Sequence, residues 1–115
     1  MLGQSREFSP EALAIRRVRR LITQIAGVAE DHPAVLVASE LATNAVKHAR
    51  TPFEVVINAQ ESIRIEVIDQ APATPAMTEP SMHGLGMRIV AQLSDRWGAD
   101  QIDGNGKTVW AEVQR

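Results

Sequence analysis

The sequence predicts an α+β fold, a two-layer α/β sandwich in which one mostly antiparallel mixed sheet carries three helices on one face. Three observations lead there. Apolar residues recur at helical spacing in three stretches: 10–26, 31–49 and from Gly84 onward. Alternating segments at 53–60 and 63–69, and again at 101–103 and 108–113, read as two antiparallel hairpins. A chain of 115 residues, 44% of them apolar, suits one domain over residues 1–115 with a single core.

Residues 1–9 read as a loose arm, confined to 1–7 at its narrowest, or as a short edge strand. Ser9-Pro10-Glu11 is a helix start: Ser9 caps, Pro10 takes the first helical position and Glu11 suits the positive end of the dipole. Leu13, Val18, Leu21, Ile22 and Ile25 form the stripe of this helix, and Gly27 stops it. The second helix is expected to be capped by Asp31, with Pro33 in its first turn, and to run to Ala49; Ala34, Ala38, Leu41, Ala42, Ala45 and Ala49 give it a small apolar face for packing on a sheet. Arg50-Thr51-Pro52 turns into the first hairpin, where Ile63, Ile65 and Val67 alternate toward one face. Residues 70–83, with Pro72, Pro75 and Pro80, have no periodicity and read as a functional lid or a disordered segment. The third helix follows His83-Gly84-Leu85-Gly86-Met87, with Leu85, Ile89, Val90, Leu93 and Trp97 as its stripe and Gly98 as its stop. A closing hairpin turns at Asp103-Gly104-Asn105-Gly106; Val109, Ala111 and Val113 face one way and Trp110 the other.

Composition excludes several functions. Without cysteine there is no disulfide, thiolate or cysteine metal site, which fits the cytoplasm. No apolar run approaches membrane-spanning length, and Met1-Leu2-Gly3-Gln4-Ser5-Arg6 has no signal-peptide core. A net charge of −2, with two Trp, two Phe and no Tyr, argues against direct nucleic-acid binding. Arg16, Arg17, Arg19 and Arg20 form a dense basic cluster, either a solvated face or a patch for an acidic protein partner.

The polar signals lie in three separate segments. Glu40 and Asn44, four apart on a helix, project side by side, with Lys47 and His48 flanking them. That helix is a catalytic element or an ordinary surface helix. Asp69 stands at a strand end. Gly84 and Gly86 allow close backbone approach at a helix start, where free N–H groups favour an anion; the alternative is a hinge.

Together, Glu40-x-x-x-Asn44, Val67-Ile68-Asp69, His83-Gly84-Leu85-Gly86-Met87 and Gly106-Lys107-Thr108 resemble the GHKL (Bergerat) ATP-binding fold of gyrase, Hsp90 chaperones, histidine kinases and MutL proteins. Within that group, Ser39–Ala49 and Asp95-Arg96-Trp97-Gly98 look most like the short actinobacterial anti-sigma-factor serine/threonine kinases of the RsbW and SpoIIAB type. The resemblance runs from about Phe8 to Val113.

The resemblance implies a transferase that uses ATP and Mg²⁺, phosphorylates a STAS-type anti-anti-sigma protein, sequesters a sigma factor and so regulates transcription. Many such relatives are homodimers. It makes Asn44 the Mg²⁺ ligand, Glu40 the general base and Asp69 the acceptor for the adenine amino group, supported by Thr108. It makes Gly84 and Gly86, with Leu85 and Met87 in the same loop, the phosphate-binding segment, residues 70–83 the ATP lid, and Lys47 and His48 polar neighbours of the phosphates. Two departures stand out. Ala71 takes the place of a glycine that lies close to the nucleotide, and Met82-His83 stand where a basic residue precedes the first lid-end glycine. A nucleotide-binding or partner-binding module without kinase activity is the first alternative, and a detached histidine-kinase catalytic domain, which would transfer to a histidine on another chain, is the second.

Overall fold

The computed structural model of the chain describes residues 3–71, 84–101 and 106–115. Among them, five antiparallel strands form one sheet and three helices cover one of its faces. The strands are β1 (Gln4–Phe8), β2 (Phe53–Ala59), β3 (Ser62–Asp69), β4 (Arg96–Gln101) and β5 (Lys107–Gln114), in the order β1-β2-β3-β5-β4. The helices are α1 (Ala12–Ala26), α2 (Pro33–Asn44) and α3 (Gly84–Leu93). The 70–83 segment read as a lid lies outside the described residues except for Gln70 and Ala71, as does the turn at Asp103-Gly104-Asn105.

The period-2 pattern puts Phe53, Val55, Ile57, Ile63, Ile65, Val67, Val109, Ala111 and Val113 on the covered face, all buried. Val18 and Ile22 of α1, Val37 and Leu41 of α2 and Val90 of α3 meet them from above. Each such side chain contributes about 1.5–3 kcal/mol on burial. α2 lies between α1 and α3, and its buried Ala34, Ala38 and Ala42 let its backbone approach the sheet closely. β1 is an edge strand rather than an arm, fastened by the Phe8–Phe53 pair, whose rings stack 5.7 Å apart.

The helix starts differ from expectation. α1 begins at Ala12 with Glu11 at its N-cap and no side-chain cap, so neither Ser9 nor Pro10 enters it. Its buried stripe is Ala14, Val18, Leu21, Ile22 and Ala26. Leu13, one residue and about 100° out of that phase, is exposed. Gly27 ends the helix in the left-handed region at φ 65°. His32, not Asp31, caps α2: its Nδ1 accepts from the Ala34 N–H at 3.0 Å, and Pro33 takes the first helical position.

The third helix is shorter than its stripe suggests. α3 stops at Leu93, and Trp97 and Gly98 belong to β4. Cross-strand pairing overrides the helical period here. The Asp95 N–H donates to the Glu112 carbonyl, and Arg96 donates to Glu112 Oε1 through Nε at 2.9 Å and Nη2 at 2.6 Å. Trp97 packs on the core from the strand, while Gly98 lies opposite Trp110 on the open face. A Cβ at Gly98 would stand 3.0 Å from the Trp110 ring, so glycine makes room for the indole. That open face is laced with charge: Arg64 lies over the Trp110 ring at 4.4 Å and pairs with Glu66 and Glu112.

Candidate functional site

α2 leads straight into a π-helical turn, Ala45–Ala49, in which the Arg50 N–H donates to the Ala45 carbonyl at 3.1 Å. Thr43 Oγ1 donates back to the Ser39 carbonyl at 2.7 Å just before the turn. Arg50, at φ 56°, ends it in the left-handed region. The widened turn keeps Lys47 and His48 on the side of the helix that carries Glu40 and Asn44.

These four residues line a cleft of about 350 Å³ with Thr43 and with Leu85, Gly86 and Met87 from the first turn of α3. Glu40 and Asn44 are half-buried, Lys47 and His48 are exposed, and Met87 is buried. Gly86 faces the Glu40 carboxylate: a Cβ there would come within 3.5 Å of Oε2. Asn44 Nδ2 donates weakly to Met87 Sδ at 4.0 Å, which orients the amide across the cleft. Among the described residues, Asn44 Oδ1 accepts no hydrogen bond. A half-buried hard oxygen with a carboxylate one turn away is a donor set that suits Mg²⁺, with the remaining ligands from phosphate and water. Among the described residues there is no cluster of three or more acidic or histidine side chains that would hold a metal on protein ligands alone.

Asp69 lies outside this cleft lining. It continues the alternation of Ile63, Ile65 and Val67 and so faces the helix layer, with 3% of its surface exposed. Its Oδ2 accepts from Lys107 Nζ at 2.8 Å and its Oδ1 from the Ala71 N–H at 3.0 Å. Lys107 is the direct register partner of Asp69 on β5 and is equally buried. Thr108, read from the sequence as the support for Asp69, is one residue out of that phase. It pairs with Ile68 and Asp100 on the open face of the sheet. Lys107 is thus the residue that sequence reasoning passed over. The signal was present: in a strand with Val109, Ala111 and Val113 inward, position 107 points inward too. Gly106, at φ 130°, immediately precedes β5 and lies hard against the main chain of Asp69.

The structure therefore gathers Glu40, Asn44, Lys47, His48, Leu85, Gly86 and Met87 in one cleft, and keeps Asp69 and Ala71 with Lys107 in a second, closed group. A larger cleft of about 440 Å³ lies elsewhere, between β1 and α1, lined by Arg6, Arg17, Arg20 and Gln24 among others. It holds none of the residues singled out for nucleotide chemistry. Arg16, Arg17, Arg19 and Arg20 are all exposed. No helix among the described residues is long and apolar enough to cross a membrane.

A family model described as "Histidine kinase-like ATPase domain" matches residues 8–113. No curated protein matches the sequence. A solved structure described as the crystal structure of full-length ShkA in complex with AMPPNP superposes with a TM-score of 0.62 at 22% identity, over 86% of this chain and 28% of that one. The likeness is one of fold, and this chain spans less than a third of that protein's length.

Proposed function

From the premise that the chain belongs to the histidine kinase-like ATPase domain family, a family of ATP-binding domains, we propose that it is an anti-sigma-factor serine/threonine kinase of the RsbW and SpoIIAB type. It binds Mg-ATP, phosphorylates a serine of a STAS-type partner and sequesters a sigma factor in the cytoplasm. The observation that carries this reading is the cleft in which Glu40 and Asn44 of α2 face Gly86 at the start of α3.

In this reading Asn44 Oδ1 holds the metal, and Mg²⁺ when bound supplies charge neutralisation on the phosphates. The N–H groups at the start of α3 receive the phosphate oxygens, helped by Lys47 and His48. Gly86 keeps the backbone of α3 close to that charge. Asp69 accepts from the base. Glu40 takes the proton of the acceptor serine as its oxygen bonds to the γ-phosphorus and the bond to the β,γ-bridging oxygen breaks.

The test is thermal unfolding with Mg-ATP and Mg-ADP, followed by transfer from labelled ATP to a STAS-type acceptor. Wild type is stabilised and phosphorylates the acceptor; Asn44→Ala loses the stabilisation. Glu40→Ala keeps nucleotide binding and loses transfer, and transfer retained in that variant would remove the role given to Glu40.

A second reading, a nucleotide- or partner-binding module without transfer, is favoured by one observation: Asp69 is already satisfied by Lys107 and Ala71. It is distinguished by stabilisation with nucleotide and no phosphoprotein with any acceptor.

A further inference from the structure

We infer that the outer edge of β1, overhung by α1, is a docking groove that takes an acidic, extended segment of a partner protein as a further strand of the sheet. Among the described residues β1 pairs with β2 alone and stands at the end of the strand order. In an antiparallel pair alternate residues turn their N–H and C=O groups away from the partner, so β1 offers donors and acceptors to another strand. Gln4, Ser5, Arg6 and Glu7 are all exposed. The cleft of about 440 Å³ is lined by the consecutive residues Arg6, Glu7 and Phe8 of β1. Side chains of a strand alternate between its faces, so a cleft that touches consecutive residues reaches the strand's edge. Its other wall is one face of α1, with Ala14, Arg17, Leu21 and Gln24 spaced three and four apart. A strand added to β1 would send alternate side chains beneath that helix face.

The chemistry of the groove selects the occupant. Its floor is apolar: Phe8, Ala14 and Leu21 are buried. Its rim carries Arg6, Arg17 and Arg20, all exposed and in no ion pair among the described residues. Arg16 and Arg19 on the same helix add to the positive field. Two carboxylates also line the cleft. Glu7 is one residue out of phase with Arg6 and Phe8, so its side chain belongs to the open face of the sheet. Glu11, at the N-cap of α1, stands at one end. The inward positions of the incoming strand are therefore suited by Asp or Glu beside an apolar residue. A second copy of this chain fits poorly. Two β1 strands paired about a two-fold axis at the strand centre, with their helices on the same face, set Arg6 against Arg6 and bring the two basic helices together.

The experiment is titration of the full chain with short peptides that alternate Thr with every combination of Glu, Val, Gln and Lys, read by backbone amide NMR. The expected result is binding of the peptides that combine Glu with Val, at least about tenfold tighter than their Gln counterparts, with none by the Lys peptides. The amides that respond are those of β1 and of the α1 face over it. N-methylation of the peptide at alternate residues abolishes binding in one phase and is tolerated in the other, because only one phase points at β1. The double variant Arg17→Glu/Arg20→Glu, altered only at exposed positions, loses the acidic peptides. Absence of binding by every peptide overturns the inference, and so does equal binding of Glu, Gln and Lys peptides. Tolerance of N-methylation in both phases removes strand addition. A wild-type dimer whose β1 amides are protected without any peptide gives the edge to a second copy instead. Where the double variant does not fold, the peptide comparisons on wild type decide the matter. None of these outcomes involves nucleotide, so the groove and the nucleotide site stand or fall separately.

Discussion

Gly106 and the main-chain oxygen of Asp69 are so close that a Cβ on the glycine would stand 2.6 Å from that oxygen. This contact joins the end of β3 to the start of β5, and it sets Lys107 beside the Asp69 carboxylate. It also puts a sharp limit on substitution. Gly106 has φ 130°, so an alanine meets both backbone strain and a collision with main chain that no rotamer relieves. Gly106→Ala is expected to cost at least about 2–3 kcal/mol by urea unfolding. Gly27→Ala is the control. Gly27 has φ 65° but open space around it, so only the backbone term of about 1–2 kcal/mol remains. Equal losses at the two sites would mean that the Asp69 contact is unimportant.

The Asp69–Lys107 pair is a charge pair in a nearly dry setting, and its stability depends on both partners being present. Lys107→Met leaves a buried carboxylate with the Ala71 N–H as its remaining partner among the described residues. The expected loss is about 3–5 kcal/mol. In Asp69→Asn/Lys107→Met the charge is gone and an acceptor for Ala71 remains, so most of that loss is recovered. A double-mutant cycle by denaturant titration measures the coupling; additive single losses would show that the two groups do not interact.

Thr108 faces the open side of the sheet, away from Asp69. Thr108→Val should therefore leave nucleotide affinity within about threefold of wild type while Asp69→Asn lowers it, an outcome read by calorimetric titration with Mg-ATP. A loss in Thr108→Val as large as that in Asp69→Asn would contradict the strand register described here.

The open face carries its own pH dependence. Hydrogen bonds from Arg96, then Arg64, hold the Glu112 carboxyl below its ordinary value of 4.5. A carboxyl depressed in the folded state contributes stability that is complete above its unfolded value. That contribution is lost as pH falls from about 4.5 through the lower folded value. Glu112→Gln should thus be less stable than wild type at neutral pH, and the gap should narrow as pH is lowered through this window. Urea midpoints between neutral pH and pH 3 check it, and a gap that stays constant counts against the ion-pair network as its origin.

Much of the candidate site was legible because helical and strand periods are local properties. Glu40 and Asn44 share a face through four-residue spacing alone, and Asp69 falls inward because it keeps step with Ile63, Ile65 and Val67. The same rule also implied Lys107, and the resemblance to a known motif drew attention to Thr108 instead. The misread ends have a different cause. Leu13 and Trp97 fit helical stripes on paper. The first lies one residue out of phase with the buried stripe that Ala14, Val18, Leu21 and Ile22 form, and the second was lost when Glu112 drew Asp95 and Arg96 alongside the sheet.

The sequence by itself determined the two layers, the hairpins, the glycine stop of α1 and the polar face of α2, because spacing and backbone freedom are written residue by residue. Only the tertiary structure decided that α3 meets α2 at Gly86 and Glu40, that His32 caps α2, and that Asp69 is held by Lys107. Each of these depends on which distant segment arrives alongside, through cross-strand register and helix packing, and a linear pattern carries no record of that arrival.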